Sequence, residues 1–172
     1  VRFSAGQNFS GGLAGASASY GAVSGGATAT FQYQQPALNL TDATVMITGE
    51  FSEGDTLGLS LTYSGPITAQ YNTQAGILRL SGSGNLTTWQ TALRAVVFST
   101  TNSSLAARTV TTSVGRAVAH DGRAFLVQTN AVSWTGARTN ALGSLFLGEA
   151  GSLASIRSAS DDEVVRRLLL DA

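Results

Sequence analysis

The sequence has no cysteine and no lysine, and only 12% of its 172 residues are charged. The absence of cysteine excludes disulfide bonds, thiolate catalysis and zinc sites built on cysteine. The ten basic and ten acidic residues cancel, so no net field draws the chain to nucleic acid or to an anionic membrane. No apolar run approaches the roughly 20 residues that a membrane-spanning helix needs. We therefore expect no nucleic-acid partner and no membrane insertion in this segment.

Histidine is also scarce, since His120 is the only one. It precedes Asp121-Gly122, a pair typical of turns, and we expect a solvent-exposed linker residue. No serine or threonine has a sequence context that would make it a nucleophile with a histidine base. The sequence therefore predicts no catalytic residue, no cofactor-binding residue and a chain that is not an enzyme.

What the chain does contain is typical of β-structure. Hydrophobic residues make up 43% of it, enough for a core, and Ser, Thr, Gly and Ala fill much of the remainder. That composition favours short strands joined by many turns. The predicted fold class is mainly β.

Four Asn-x-Ser/Thr sequons are candidate glycosylation sites. Their asparagines are Asn8, Asn39, Asn85 and Asn102. The chain begins with Val1 rather than Met, and no signal peptide is visible. These features lead us to expect an excerpt from a larger extracellular or cell-surface glycoprotein.

Two short stretches near the start recur later in the chain. Val1–Ser4 is similar to Val96–Ser99, and Ser19–Val23 is similar to Ser113–Val118 with one inserted residue. The spacing is about the length of one β-sandwich domain. The expected organisation is therefore a repeat tail at residues 1–26, a complete sandwich repeat at 27–117, and a different module at 118–172.

Within the middle repeat, apolar residues mostly alternate with polar ones, which indicates strands. The clearest alternation runs from Leu57 through Leu59 and Leu61 to Tyr63. A hairpin loop is predicted around Asn72–Gly76. The exception is a short helix, because Trp89, Ala92, Leu93 and Val96 have the spacing of one helical face.

The last module alternates predicted strands and helices. A strand at 124–127 is followed by a helix that Ser133 caps, a strand at 153–156, and a last helix through Leu169. The last helix is expected to open with the capping box Ser160–Glu163. Asp161, Asp162 and Glu163 could also be interpreted as a metal cluster, but capping explains them and is the favoured interpretation.

The middle segment, about 30–117, resembles the cadherin-like, immunoglobulin-like sandwich repeats of large microbial surface adhesins. The residues that carry this resemblance are Ala43–Gly49, Glu53–Leu57, Ile67, Tyr71-Asn72, Gly76–Gly82, Trp89–Arg94 and Arg108–Val110. The resemblance implies antiparallel β-sandwiches that act as spacers and stalks, often rigidified by calcium.

Calcium has two candidate ligands here, Glu53 and Asp55. Hard oxygens two residues apart on a loop suit that ion. A complete site needs six or more oxygens, and the neighbouring sequence supplies no others. A solvated turn is the favoured interpretation, so the expected cofactor list is empty, with calcium as the open alternative.

The C-terminal segment, about 118–172, looks like the first half of a C-type-lectin-like domain. The matching stretches are Asp121–Phe125, Ser133–Arg138 and Gly151–Ser158. The resemblance implies a partial α+β module. The sugar- and calcium-binding loops of that family lie in the second half, so no residue here inherits a lectin role.

The function that the sequence favours is structural. We expect a non-catalytic stalk, adhesin or filament segment whose partners are neighbouring domains or copies of the same protein. A carbohydrate-binding module is the alternative, with glycans as partners, and an accessory domain of a secreted hydrolase is a third. Trp89 and Trp134 could stack on sugars, but both lie on apolar helical faces, which favours core packing.

Overall fold

A computed structural model describes residues 2–3, 16–20, 40–103, 106–146 and 149–172, the first two ranges as backbone only. Its strands are β1 Arg2–Phe3, β2 Ala16–Tyr20, β3 Leu40–Gly49, β4 Asp55–Leu59, β5 Thr68–Asn72, β6 Ile77–Gly84, β7 Val96–Thr100, β8 Arg108–Val114, β9 Val118–His120, β10 Arg123–Phe125, β11 Leu145–Phe146 and β12 Glu149–Ala150. The helices are α1 Leu86–Arg94, α2 Trp134–Gly143 and α3 Ala159–Leu169. Over these residues, no helix combines the length and the hydropathy needed to cross a bilayer.

The largest sheet has six strands in the order β1-β2-β8-β3-β6-β5. Its centre is antiparallel, since β3 pairs with β6 on one side and with β8 on the other. The part of 1–26 that the structure describes forms β1 and β2, which extend this sheet beside β8. The prediction of a mainly β fold is confirmed.

One face of the six-stranded sheet is covered by the β4–β7 pair and by α1. Val45 and Ile47 of β3 pack in this first core with Leu57 of β4 and Trp89 of α1, all at most 4% exposed. The indole Nε1 of Trp89 donates to the carbonyl of Leu40 at 2.8 Å. The predicted helix and the core position of Trp89 are both confirmed.

The opposite face carries a second core under β9, β10 and α3. Met46 and Ile77 come from the sheet, Val118 from β9, and Val164 and Leu168 from α3. The predicted boundary between residues 117 and 118 therefore does not coincide with a break in packing. Residues on both sides of that boundary bury the same apolar surface.

The strand predicted from Leu57 to Tyr63 is shorter than its alternation indicates. It ends at Leu59, and Leu61 is fully exposed in the turn that follows. The Ser60 hydroxyl lies 2.9 Å from Oγ1 of Thr62 and accepts from the Thr62 backbone N–H at 3.3 Å. Such local side-chain bonds compete with the sheet ladder and end the strand.

Two predictions about the C-terminal part also need correction. Residues 153–156 have no regular secondary structure, so the predicted strand there is wrong; the short strands are β11 and β12 instead. The N-cap of α3 is Ser158, whose hydroxyl accepts from the Asp161 N–H, and not Ser160. The predicted cap of α2 by Ser133 is confirmed.

A long segment, residues 126–160, separates the second-core residue Phe125 from the buried part of α3. Among its described residues none is buried; we call it the exposed segment. Its exposed large apolar side chains are Leu126, Val132, Trp134, Leu142, Leu145, Leu153 and Ile156. Trp134 is 70% exposed, so the expectation that it packs in the core is wrong.

Candidate functional site

Five polar side chains meet where α3 begins: His120, Asp121, Arg123, Ser160 and Asp161. We call them the polar cluster. The β9–β10 hairpin supplies the first three through a two-residue Asp121-Gly122 turn, in which both residues have positive φ. That is the geometry of the tight turns that suit twisted hairpins. The turn places His120 directly opposite Arg123 in the hairpin.

The polar groups converge on one nitrogen of His120. The Ser160 hydroxyl lies 2.9 Å from Nε2. Oδ2 of Asp121 lies 3.6 Å away and Oδ1 of Asp161 lies 3.8 Å away from the same atom. The imidazole is only 9% exposed, so the expectation of a solvent-exposed linker residue is wrong.

Asp161 is the buried anion of the cluster, at 1% exposed. The Arg123 guanidinium contacts its Oδ1, and the Arg157 backbone N–H donates to its Oδ2 at 2.7 Å. These two hydrogen bonds lower the pKa of Asp161, and the bond from Arg123 has the larger effect. The carboxylate thus does more than cap α3, because it fastens the start of the helix to β10.

The contact between Ser160 and His120 does not form a catalytic triad. In a triad the serine binds one imidazole nitrogen while a carboxylate holds the other, which fixes the tautomer. Here Ser160 and both carboxylates approach Nε2. The arrangement ties α3 to the hairpin rather than activating the hydroxyl.

His120, Asp121 and Asp161 also offer three metal-ligand atoms within 4.8 Å of one another. The donor set fits a zinc ion in kind. The Arg123 guanidinium, however, already contacts the Asp161 carboxylate, and its positive charge opposes a cation at that place. We therefore assign the cluster to the attachment of α3.

The calcium candidate Asp55 forms a buried ion pair instead. Arg108 donates from Nε to Oδ2 at 2.6 Å and from Nη2 to Oδ1 at 3.3 Å, and the Ser52 N–H donates at 2.9 Å. Burial alone raises the pKa of Asp55, but these hydrogen bonds outweigh it and the pKa is lowered. A calcium ion here would have to displace Arg108, and Glu53 is exposed, so we do not propose this pair as a calcium site.

Two of the four sequon asparagines lie in described residues, whereas Asn8 and Asn39 lie outside them. Asn85 is exposed and caps α1, its Oδ1 accepting from the Thr88 N–H at 3.0 Å. Asn102 is half-buried and donates from Nδ2 to the Ser52 hydroxyl at 2.7 Å. A glycan attaches to Nδ2, so Asn85 is the more accessible acceptor.

Helix α3 carries a second buried charge, Arg167, which was not singled out from the sequence. Arg167 is 1% exposed and donates to the carbonyls of Ala75 at 3.0 Å and Ile47 at 2.7 Å. It also stacks over the Phe51 ring, and burial lowers its pKa. Helical spacing carried the signal, because position 167 is three residues after Val164 on the apolar face.

Comparisons of the chain with family models, with curated proteins and with solved structures found no match.

Proposed function

We propose that this chain is a non-catalytic structural module of a large extracellular surface protein, serving as part of a stalk, adhesin or filament. The observation that carries the proposal is the exposed segment. Trp134 and Leu145 are 70% and 72% exposed there, and α2 has no buried residue at all. Apolar surface of this kind marks protein–protein contact sites. Its partners are neighbouring domains or further copies of the same protein.

The packing supports a mechanical role without disulfide bonds. The central sheet is covered on both faces, and two buried arginines are paired across long sequence separations. Arg108 meets Asp55, and Arg167 meets two sheet carbonyls. A module stiffened in this way can hold its neighbours at a fixed spacing.

The exposed asparagine supports the extracellular location. Asn85 uses Oδ1 for its cap, so a glycan on Nδ2 is compatible with α1. Expression through a secretory pathway should give glycan at Asn85, detected by mass spectrometry of the peptide. An unmodified Asn85 in a secreted preparation whose other sequons carry glycan would count against this acceptor.

The structural proposal is tested by the association of the chain. We expect concentration-dependent self-association in sedimentation, weakened at least tenfold when Trp134→Ser and Leu145→Ser are combined. Leu61→Ser is the matched control, because Leu61 is fully exposed but lies outside the exposed segment. Electron microscopy of the parent protein should then show regular fibres or stalks. Monomeric behaviour together with compact, separate parent particles would overturn the proposal.

Carbohydrate binding is the second candidate, and the exposure of Trp134 favours it. An indole that is 70% exposed offers a flat apolar face on which a sugar ring can stack. A glycan array is the test: Trp134→Ala should abolish binding, whereas Leu145→Ala should retain it. If the wild-type chain binds no glycan, this candidate fails and the structural proposal is unaffected.

A further inference from the structure

Helix α3 packs in the second core, although the long exposed segment separates it in sequence from the other residues of that core. The last core residue before it is Phe125, and the first buried residue of the helix is Asp161. The described residues of the exposed segment between them contribute no buried side chain. Val127 of the segment packs against the edge of the second core, and the Ser155 carbonyl accepts from Arg123. The buried contacts of α3, however, are its own contacts with the sheet and hairpin.

The apolar part of those contacts is substantial. Val164 and Leu168 of α3 are at most 2% exposed and pack in one cluster with Met46, Ile77 and Val118. Without α3 this sheet face would present apolar surface to water, at about 25 cal/mol for each Å². The face therefore has a strong preference for this helix.

The polar contacts make that preference specific. Arg167 donates to the carbonyls of Ile47 and Ala75. Beyond the helix, Asp171 accepts from Nε of Arg79 at 2.6 Å. At the other end, Asp161 meets Arg123. Every one of these partners precedes the exposed segment, so a second copy of the chain offers the same complete receptor.

We propose that α3 exchanges between copies of this chain, the helix of one copy docking on the sheet of another. The contacts are identical in the closed and exchanged forms, which makes such exchange a low-cost route to assembly. The two forms differ mainly in the effective concentration of α3, on the order of millimolar for a helix held on its own tether. Reciprocal exchange gives a dimer, and open exchange gives a linear array. The proposal goes beyond the structural role above and does not require it.

The Arg79–Asp171 ion pair provides the first test. Arg79→Glu places two acids together in one full-length chain, and Asp171→Arg places two arginines together in another. When the two variants are mixed and refolded, exchange restores both opposite-charge pairs. We expect a heterodimer in sedimentation that associates at least tenfold more tightly than either variant alone.

Two controls isolate the exchange. The double variant R79E/D171R loses the hydrogen bonds of Arg79 to Thr44 and to the Arg116 carbonyl, but its opposite charges are restored within one chain. We therefore expect it to self-associate as weakly as the wild type. Adding Trp134→Ser to both single variants should leave the heterodimer intact. If Trp134→Ser abolishes it, association runs through the exposed segment and the exchange proposal is overturned.

A wild-type experiment covers the case in which the charge variants fail to fold. Two full-length wild-type preparations, one isotope-labelled, are co-refolded at concentrations up to about 1 mM and compared with a mixture of already folded chains. Native mass spectrometry should detect mixed dimers that increase with refolding concentration and are much rarer in the folded mixture. No mixed dimer at any concentration would overturn the proposal.

Discussion

Asp55 and Arg108 form a buried ion pair whose side chains are 0% and 3% exposed. Asp55→Asn keeps the shape but leaves the guanidinium without its counter-charge. We expect the free energy of unfolding to fall by about 3–5 kcal/mol, the usual effect of breaking a buried pair, measured by urea denaturation.

Arg166→Gln is the matched control for that change. Arg166 pairs with Glu163 on the surface of α3, where both side chains are largely exposed. Its loss should change the free energy of unfolding by no more than about 0.5 kcal/mol. Equal effects of the two substitutions would mean that the burial of Arg108 has no energetic consequence.

The Asp55 carboxylate also makes the free energy of unfolding depend on pH. The folded-state pKa of Asp55 is lowered from its ordinary value of 3.8, so the folded state favours the ionised form. The stabilisation is fully present above that ordinary value and is lost as the pH falls through the lower folded-state pKa. We expect the stability difference between the wild type and Asp55→Asn to shrink in that acid range. Asp161, whose pKa is also lowered, is present in both proteins and cancels in the comparison.

The two tryptophans show how far the sequence determines residue environments. Both follow helical spacing, yet Trp89 is 1% exposed and Trp134 is 70% exposed. The difference lies in what each helix faces, because α1 packs against the first core whereas no residue of α2 is buried. Periodicity reports which side of a helix is apolar, but not whether a partner covers that side.

At the scale of elements, Gly76 decides how closely α3 approaches the sheet. Its φ is +66°, and an added Cβ would lie 2.8 Å from the Phe51 ring and 2.9 Å from Nη1 of Arg167. Gly76→Ala should therefore combine backbone strain of about 1–2 kcal/mol with displacement of the buried guanidinium. Gly115→Ala is the control, since Gly115 has φ +68° with nothing within 4 Å. Thermal unfolding should show a clearly larger loss for Gly76→Ala.

The N-terminus of α3 gives a second comparison between neighbours. Ser158 is the cap, with its hydroxyl 3.0 Å from the Asp161 N–H, whereas Ser160 contacts His120. Ser158→Ala should lower the free energy of unfolding by about 1 kcal/mol, and Ser160→Ala should lower it by less. The opposite order would restore the capping box expected from the sequence.

Element types were easier to predict than element ends. The hairpin at Asn72–Gly76 and the helix α1 were both predicted, because turn chemistry and a 3.6-residue period are local signals. The end of β4 was not, because the Ser60 side chain, bonded to Thr62, interrupts an otherwise regular alternation. The prediction of a strand at 153–156 was wrong, because a short apolar run in the sequence does not ensure that a neighbouring strand is there to pair with it.

For the whole molecule, the sequence suggested a boundary where the structure has shared packing. Met46, between Val45 and Ile47 on β3, faces the second core while its two neighbours face the first. A strand buried on both faces has no polar alternation that would reveal a second layer. The polar cluster was equally hidden, because His120 and Ser160 are 40 residues apart.

The exposed segment also offers sites at which a protease can cleave the chain. Arg138 and Arg157 are both exposed within it, and limited trypsin digestion at one of them should leave two pieces that still migrate as one particle in gel filtration. They should separate only in denaturant, because the contacts of α3 do not depend on the peptide bonds of the segment. Pieces that part under native conditions would show that the tether itself holds the helix. If the pieces stay together, the cleaved two-chain form keeps its fold. The contacts of α3, rather than a continuous backbone, then hold the molecule together.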